Sequence, residues 1–430
     1  MPPVDVVLTG VGVVCPIGIG RQEVWESFEA GRSGIRPLAQ GDQLRLPVRI
    51  GGEVQDFDPK ARALPRKSLK VMARDAQLGV AASILACQDA RVDGGGIDPE
   101  RFGVILGADR MCSAMEHSEP PYRQCMVDGS FDFGRWGPEG LPVTFPLAFL
   151  RVVPNMIASH ISIVHDARGP NNTIHHAEVS GLLAVIEAAR VIQRGMADVM
   201  LAGGASSLTT PYDWVRHCAS GRLSPQNDPP ESVMRPFDAA RSGEVRGEGA
   251  AMFLLESLPH ALARGAPLSA RLAGWGTAFE CHPGRRLEGH ALRRAIQQAL
   301  DHAGLDAREL GHVNAHGAGT IADDAIEARA IRDVLDDVPV TAPRSYFGNL
   351  GAAAGAAELA ATVLALGHGL VPATLNYERP DPACPLRVIA REPLAGAPPA
   401  ALALNWTSIG QAAAVVFTGP DQVGTRMLNP

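Results

Sequence analysis

The sequence predicts an α/β protein built from two similar halves, and three observations carry that reading. The chain has 430 residues, too many for one ordinary hydrophobic core, which favours two domains or two fused halves. Short apolar runs of strand length alternate with segments whose apolar residues recur every three or four positions, as in strands covered by helices on both faces. The later part of the chain repeats the logic of the earlier part.

Taken in order, residues 6–14 form an apolar run broken by Gly10 and Gly12, read as a buried strand entering a turn. Residues 102–107 and 199–204 are further strands. Before the last of these, Leu182, Val185, Ile186 and Ala189 fall at helical spacing on one face, and Gly195 supplies a C-terminal cap. The short helix and turn at 260–267 mark the boundary, giving an N-terminal half at 1–258 and a C-terminal half at 259–430. In the second half, Leu292, Ala295, Ile296, Ala299 and Leu300 line one helix that stops at Gly304. A strand at 312–315, a glycine-rich loop, a helix at 324–335 and a final apolar strand at 413–417 follow. Such alternation implies mostly parallel sheets. Segment 110–150, with Pro120-Pro121-Tyr122 and Trp136-Gly137-Pro138, has poor periodicity and reads as an insertion that lines a pocket or meets a partner.

Composition narrows the function. Hydrophobic residues make up 46% and charged residues 20%, with 39 Lys and Arg against 46 Asp and Glu, a net charge of −7. That balance speaks against a general nucleic-acid binder, which carries a basic stripe. No run of about 18 apolar residues suggests a membrane span. The opening Met1-Pro2-Pro3-Val4-Asp5 lacks the regions of a signal peptide. Seven scattered cysteines (Cys15, Cys87, Cys112, Cys125, Cys218, Cys281 and Cys384) form no CxxC pair. A reduced, cytoplasmic protein without cofactor or metal is expected.

The chemistry centres on residues 169–182, a strand turning sharply into a helix with Glu178 at the turn. Around it, Thr9-Gly10-Val11-Gly12, Gly169-Pro170-Asn171, Ala202-Gly203-Gly204-Ala205, Arg235-Pro236-Phe237-Asp238-Ala239, Gly247-Glu248-Gly249, Asn314-Ala315-His316-Gly317-Ala318-Gly319-Thr320 and Gly348-Asn349 occur in that order. Together they resemble the β-ketoacyl-[acyl-carrier-protein] synthases of the thiolase superfamily, across nearly the whole length. The resemblance implies a thiolase-like fold, two duplicated α/β halves in a five-layer αβαβα arrangement. It also implies a dimer joined near the strand before Glu178, and an acyl carrier protein as partner. In that family a cysteine at a buried helix N-terminus accepts the acyl group, and two histidines assist decarboxylation of a malonyl unit. Carried over by position, the cysteine falls on Glu178, the first histidine on His316 and the second on Asn349. The family's lysine falls on Arg344 and its buried glutamate on Glu358. Its gating loop falls on Trp406-Thr407-Ser408-Ile409-Gly410, which keeps little of the pattern.

A carboxylate cannot form the thioester that a thiolate forms. Glu178 either fills the vacated oxyanion hole with its own oxygen or acts as a general base with His316. His316 is catalytic or a hydrogen-bonded relic, and Asn349 tightens its loop or donates to substrate. Arg344 and Glu358 read as a structural ion pair. His175 and His176 point to opposite faces of an extended segment, so they read as pocket or support residues rather than joint metal ligands. Ser180, two residues along the helix from Glu178, and Cys218 both read as packing.

Three functions follow. The leading one is a non-condensing, chain-length-factor-like subunit of fatty-acid or polyketide-type biosynthesis, paired with an active ketosynthase or with itself. The second is an acyl-thioester-processing enzyme (decarboxylase, hydrolase or dehydratase) using Glu178 and His316 as acid and base. The third is an acyl-carrier binding protein.

Overall fold

A computed structural model describes residues 4–38, 41, 45–62, 64–92, 96–111, 115–281 and 287–420. Cys112 and the extreme termini lie outside the described residues. The elements that matter for the site are, in the first half, β1 (Val6–Cys15), α1 (Arg74–Asp89), β2 (Phe102–Ala108), α2 (Met156–His165), β3 (Asn171–Ile174), α3 (Ser180–Gln193), β4 (Val199–Ser207), α4 (Pro211–Ala219) and β5 (Glu248–Ser257). The second half contributes β6 (Ala270–Phe279), α5 (His290–Ala303), β7 (His312–Asn314), α6 (Ile321–Leu335), β8 (Val340–Thr341), α7 (Ala354–His368), β9 (Ala400–Trp406) and β10 (Gln411–Thr418).

The strands run in the order β8-β7-β9-β10-β6-β1-β5-β4-β2-β3. In this sheet the strands of the two halves join where Val6, Val7 and Leu8 of β1 face Leu272, Arg271 and Ala270 of β6. The mostly parallel sheet expected from alternation is corrected here. β1 with β5, β5 with β4, β6 with β10 and β9 with β10 pair antiparallel, whereas β2 with β3 and β4, and β7 with β8 and β9, pair parallel. Helical crossovers enforce parallel pairing only where they join neighbouring strands. Here β1, from the chain start, lies where the halves join, between β5 and β6, and β9–β10 is a hairpin.

Three buried clusters separate the layers. Outside the first half, Leu78, Ala82 and Ala86 of α1 and Ile157 and Ile161 of α2 pack on Val104, Leu106, Met252 and Leu254. Between the halves, Leu182, Val185, Ile186 and Ala189 of α3 pack with Ala356, Leu359, Ala360 and Val363 of α7 against Phe253 and Leu255 on one side and Val415 and Phe417 on the other. Outside the second half, Leu292, Ala295, Ile296 and Ala299 of α5 pack on Leu402, Leu404, Ala414 and Val416. Adjacent residues of one strand thus enter different clusters, because successive side chains point to opposite faces. The result is helix, sheet, helix, sheet, helix: the five-layer thiolase-like arrangement.

The glycines of β1 do not break it. All ten of its residues are buried, and a Cβ on Gly12 would lie 1.9 Å from the Ala82 carbonyl oxygen of α1. The small residues let helix and sheet approach. The helix caps fall where the pattern puts them: Gly195 (φ 69°) follows α3 and Gly304 (φ 65°) follows α5. The 115–152 segment is a surface lobe with a short helix, Met115–Gln124, and a hairpin, Met126–Val127 with Ser130–Phe131. It shows solvent large apolar side chains, among them Phe133 at 83% and Phe149 at 58% exposure.

Candidate functional site

The edge strand β3 delivers the chain to the site. After it, Ala177 takes φ 49°, a left-handed conformation that costs an L-residue about 1–2 kcal/mol. One 3₁₀ turn, Ala177–Val179, then leads into α3. The buried Ser180 hydroxyl ties the turn: it donates to the Ala177 carbonyl (2.7 Å) and accepts the His176 backbone N–H (2.8 Å). This sharp corner sets Glu178 at the mouth of the middle layer, facing a cavity of about 290 Å³.

Glu178 is held by two donors on one oxygen. Arg246 Nη1 lies 3.2 Å from Oε1 and Asn349 Nδ2 donates to the same atom at 3.1 Å. The side chains of Glu178 and Arg246 are 15% and 10% exposed. Burial opposes ionisation of Glu178, but Arg246, then the nearby His316, the residue's own backbone N–H and the Asn349 amide together hold its carboxyl well below the ordinary carboxylate range. The carboxylate is therefore charged at neutral pH.

Behind it runs a chain of alternating charge. Arg246 Nη2 and Asn349 Nδ2 both reach Glu244 Oε2, at 2.9 and 3.0 Å. Arg222 Nε donates to Glu244 Oε1 at 2.7 Å and Arg222 Nη2 meets Asp323 Oδ2 at 2.7 Å. Local backbone pairing aims the donors: Arg246 and Asn349 form an isolated parallel bridge, with the Asn349 N–H on the Val245 carbonyl (2.7 Å) and the Gly247 N–H on the Asn349 carbonyl (2.9 Å). Bridge partners project their side chains to one side. Arg246 and Glu244 were not singled out in the sequence. The only signal was their alternation, Glu244-Val245-Arg246, immediately before Gly247-Glu248-Gly249.

His316 sits deeper, on the loop after β7. Its Nε2 and Nδ1 face Arg344 Nη1 and Nη2 at 2.9 and 3.1 Å. Burial and the Arg344 charge push its pKa well below the ordinary histidine value, so the ring is neutral. No hydrogen bond joins it to Glu178 among the described residues. Arg344 pairs with Glu358 (Nη2 to Oε1, 2.7 Å), and both are buried. Asn405 donates to the other Glu358 oxygen, and burial raises the Glu358 carboxyl to about 7 against the pull of Arg344. Gly317 and Gly319 of the loop press on Pro236 and Met234, protein rather than open space.

The remaining predicted positions scatter. His175 Nδ1 lies 2.8 Å from the Ala108 carbonyl and its ring lines the cavity; His176 is exposed and does not. Thr407 is buried at the start of the β9–β10 hairpin turn, while Ser408 and Ile409 form its exposed tip. None of these three lines the Glu178 cavity, whose charged walls include Asp109, Arg110, Asp213, Arg216 and Arg246. No cysteine lines it among the described residues, and Cys15, Cys87 and Cys384 are buried with thiols pushed up to about 12. A larger groove of about 730 Å³, beside Glu53 and Asp58, shares no lining residue with it. Among the described residues no cluster of three His, Cys, Asp or Glu suits a metal ion, and no helix is long and apolar enough to cross a membrane.

Five layers, with a helix-opening turn presented at the centre, define the thiolase-like class of acyl-handling proteins. The comparisons narrow that class. The chain matches the models "Beta-ketoacyl synthase, N-terminal domain" over residues 4–261 and "Beta-ketoacyl synthase, C-terminal domain" over 269–378. It is 36% identical over 388 residues, 89% of each chain, to the tetracenomycin polyketide synthase ketoacyl synthase alpha subunit of Streptomyces glaucescens. Among solved structures it resembles the ishigamide ketosynthase/chain length factor (TM-score 0.85, 30% identity, 97% of this chain and 99% of that one). It also resembles AntDE:AntF, a type II acyl-carrier protein in complex with its ketosynthase bound to the hexaketide (TM-score 0.83, 27% identity, 97% and 99% covered). The chain belongs to the β-ketoacyl synthase family.

Proposed function

We propose that this chain is a non-condensing, chain-length-factor-like subunit of polyketide-type biosynthesis, which pairs with a cysteine-bearing ketosynthase and meets an acyl carrier protein. One observation carries the reading. At the turn where the family resemblance puts the attacking thiol stands an ionised carboxylate fixed by Arg246 and Asn349, and among the described residues no thiol lines the adjoining cavity. A carboxylate so fixed is a poor acyl acceptor.

The acid–base alternative fits less well. Proton transfer at neutral pH is best served by a group titrating near neutrality, whereas the Glu178 carboxyl is held below even the ordinary carboxylate range by Arg246. Both ring nitrogens of His316 face the Arg344 guanidinium, which leaves no free lone pair for a substrate proton. The resemblance to a ketosynthase/chain length factor and to a carrier–ketosynthase complex supports a paired, carrier-facing role. So do the edge strand β3, whose outer side has no partner strand among the described residues, and the exposed apolar lobe nearby in sequence.

Co-expression with cysteine-bearing ketosynthases tests the pairing. Size exclusion with mass analysis is expected to return a one-to-one complex in which labelled acyl groups attach covalently only to the partner. Recovery of this chain solely as homodimers beside every synthase tried, or an acyl label on one of its own cysteines, refutes the reading.

A further inference from the structure

We infer that Arg246 and Asn349 form a binding site for a single carboxylate, and that Glu178 fills this site from within. The inference rests on reading Glu178 as an occupant rather than an attacker, and it adds what the pocket would hold if that occupant were withdrawn.

The donors are built in advance. Their backbones are locked together by the Arg246–Asn349 bridge. Each also has a second anchor, since Arg246 Nη2 and Asn349 Nδ2 both reach Glu244 Oε2 at 2.9 and 3.0 Å. Removing the Glu178 side chain therefore leaves both groups aimed at the vacated place. Rigid, convergent donors of this kind recognise a carboxylate without reorganising.

The fit of the tethered group is imperfect. Arg246 Nη1 stands 3.2 Å from the carboxylate oxygen, longer than the roughly 2.7–2.9 Å of a hydrogen bond between two ions, while the 3.1 Å contact of the neutral Asn349 amide is of ordinary length. The 3₁₀ corner at Ala177–Val179 limits how far Glu178 can reach. A free carboxylate has no such tether and can close the gap.

Charge sets the number at one. Arg246 and Arg222 balance Glu244 and Asp323, so the network without Glu178 is neutral, and Glu178 makes it net negative. A second anion would meet that unbalanced charge. The neighbouring cavity of about 290 Å³, which Glu178 and Arg246 both line, gives a small ligand its way in. With Glu178 in place the native chain refuses a further carboxylate here, and shortening Glu178 opens the site to one.

Acetate and malonate, titrated at constant ionic strength against chloride, are the probes. In Glu178→Ala the melting temperature is expected to rise with acetate along a saturating curve. In the native chain and in Glu178→Gln, which fills the same space, binding is expected to be at least about tenfold weaker. Adding Arg246→Lys to Glu178→Ala, which keeps the charge but loses the fork geometry, is expected to weaken acetate again. Equal responses in all proteins, or chloride acting as well as acetate, overturn the inference. Should Glu178→Ala prove insoluble, Glu178→Ser opens the same space, and acetate-dependent recovery of soluble protein on refolding becomes the readout; no recovery counts against the site. Failure here leaves the co-expression result untouched, and the reverse, so the two readings fall separately.

Discussion

At the scale of single residues, the site is decided by which charges face one another after folding. Arg246 serves two carboxylates at once, so removing its charge is costly. Arg246→Gln is expected to destabilise the protein by about 3–5 kcal/mol, because Glu178 keeps its burial and loses its counter-charge. Urea unfolding checks the value, and a cycle with Glu178→Gln should show the two changes coupled by more than about 0.5 kcal/mol. A loss under about 1 kcal/mol would mean the pair contributes little. Positions such as His316, Arg344, Asn349 and Glu358 were legible in the sequence because they sit inside or beside glycine-rich motifs with fixed spacing. Arg246 was not: its contact with Glu178 spans 68 residues of chain, and nothing local to either announces it. Nor could the sequence show that Arg344 would face both nitrogens of His316, a contact made only when the loop after β7 meets the turn at 344–347.

At the scale of elements, the corner before α3 stores strain that a substitution can release. Ala177 has φ 49°, so Ala177→Gly removes a steric cost of about 1–2 kcal/mol while adding roughly 0.5–1 kcal/mol of chain entropy to the unfolded state. A net change between zero and about 1.5 kcal/mol of stabilisation is expected from chemical denaturation. A clear destabilisation would show that the Ala177 methyl group packs usefully. Helices α3 and α5 were legible almost to the residue, since an apolar stripe and a terminal glycine mark each. Strand direction was not. Apolar runs tell that a strand is buried on both faces but not which neighbour it joins, and β1 pairs antiparallel with β5, whose paired residues lie 236 or more positions away in sequence, by wedging between halves. The glycines of β1 misled for a related reason: they look like breaks locally, and only α1 lying on them shows why a side chain has no room.

At the scale of the whole molecule, the buried histidines tie stability to pH. Burial lowers His312 to about 4, His165 to about 4 and His217 to about 3, from about 6.5 in the unfolded chain. As pH falls below that value the unfolded chain takes up protons that the fold refuses, so stability present at neutral pH is lost on acidification, by about 1.4 kcal/mol per pH unit for each such group. For His312 the loss runs from about pH 6.5 to about pH 4. Among the described residues neither of its ring nitrogens has a hydrogen-bond partner. His312→Leu is therefore expected to fold at neutral pH at little cost and to flatten the acid slope. Urea midpoints measured at about pH 7 and about pH 5 decide it: a native profile as flat as the variant's would contradict the assignment.

The middle layer has one more implication. It takes α3 from the first half and α7 from the second, and each helix shows apolar side chains to both sheets. Neither repeat owns a complete interior; each borrows a wall from its twin. A chain of this design is no longer two independent modules, and a single calorimetric transition is the expected signature.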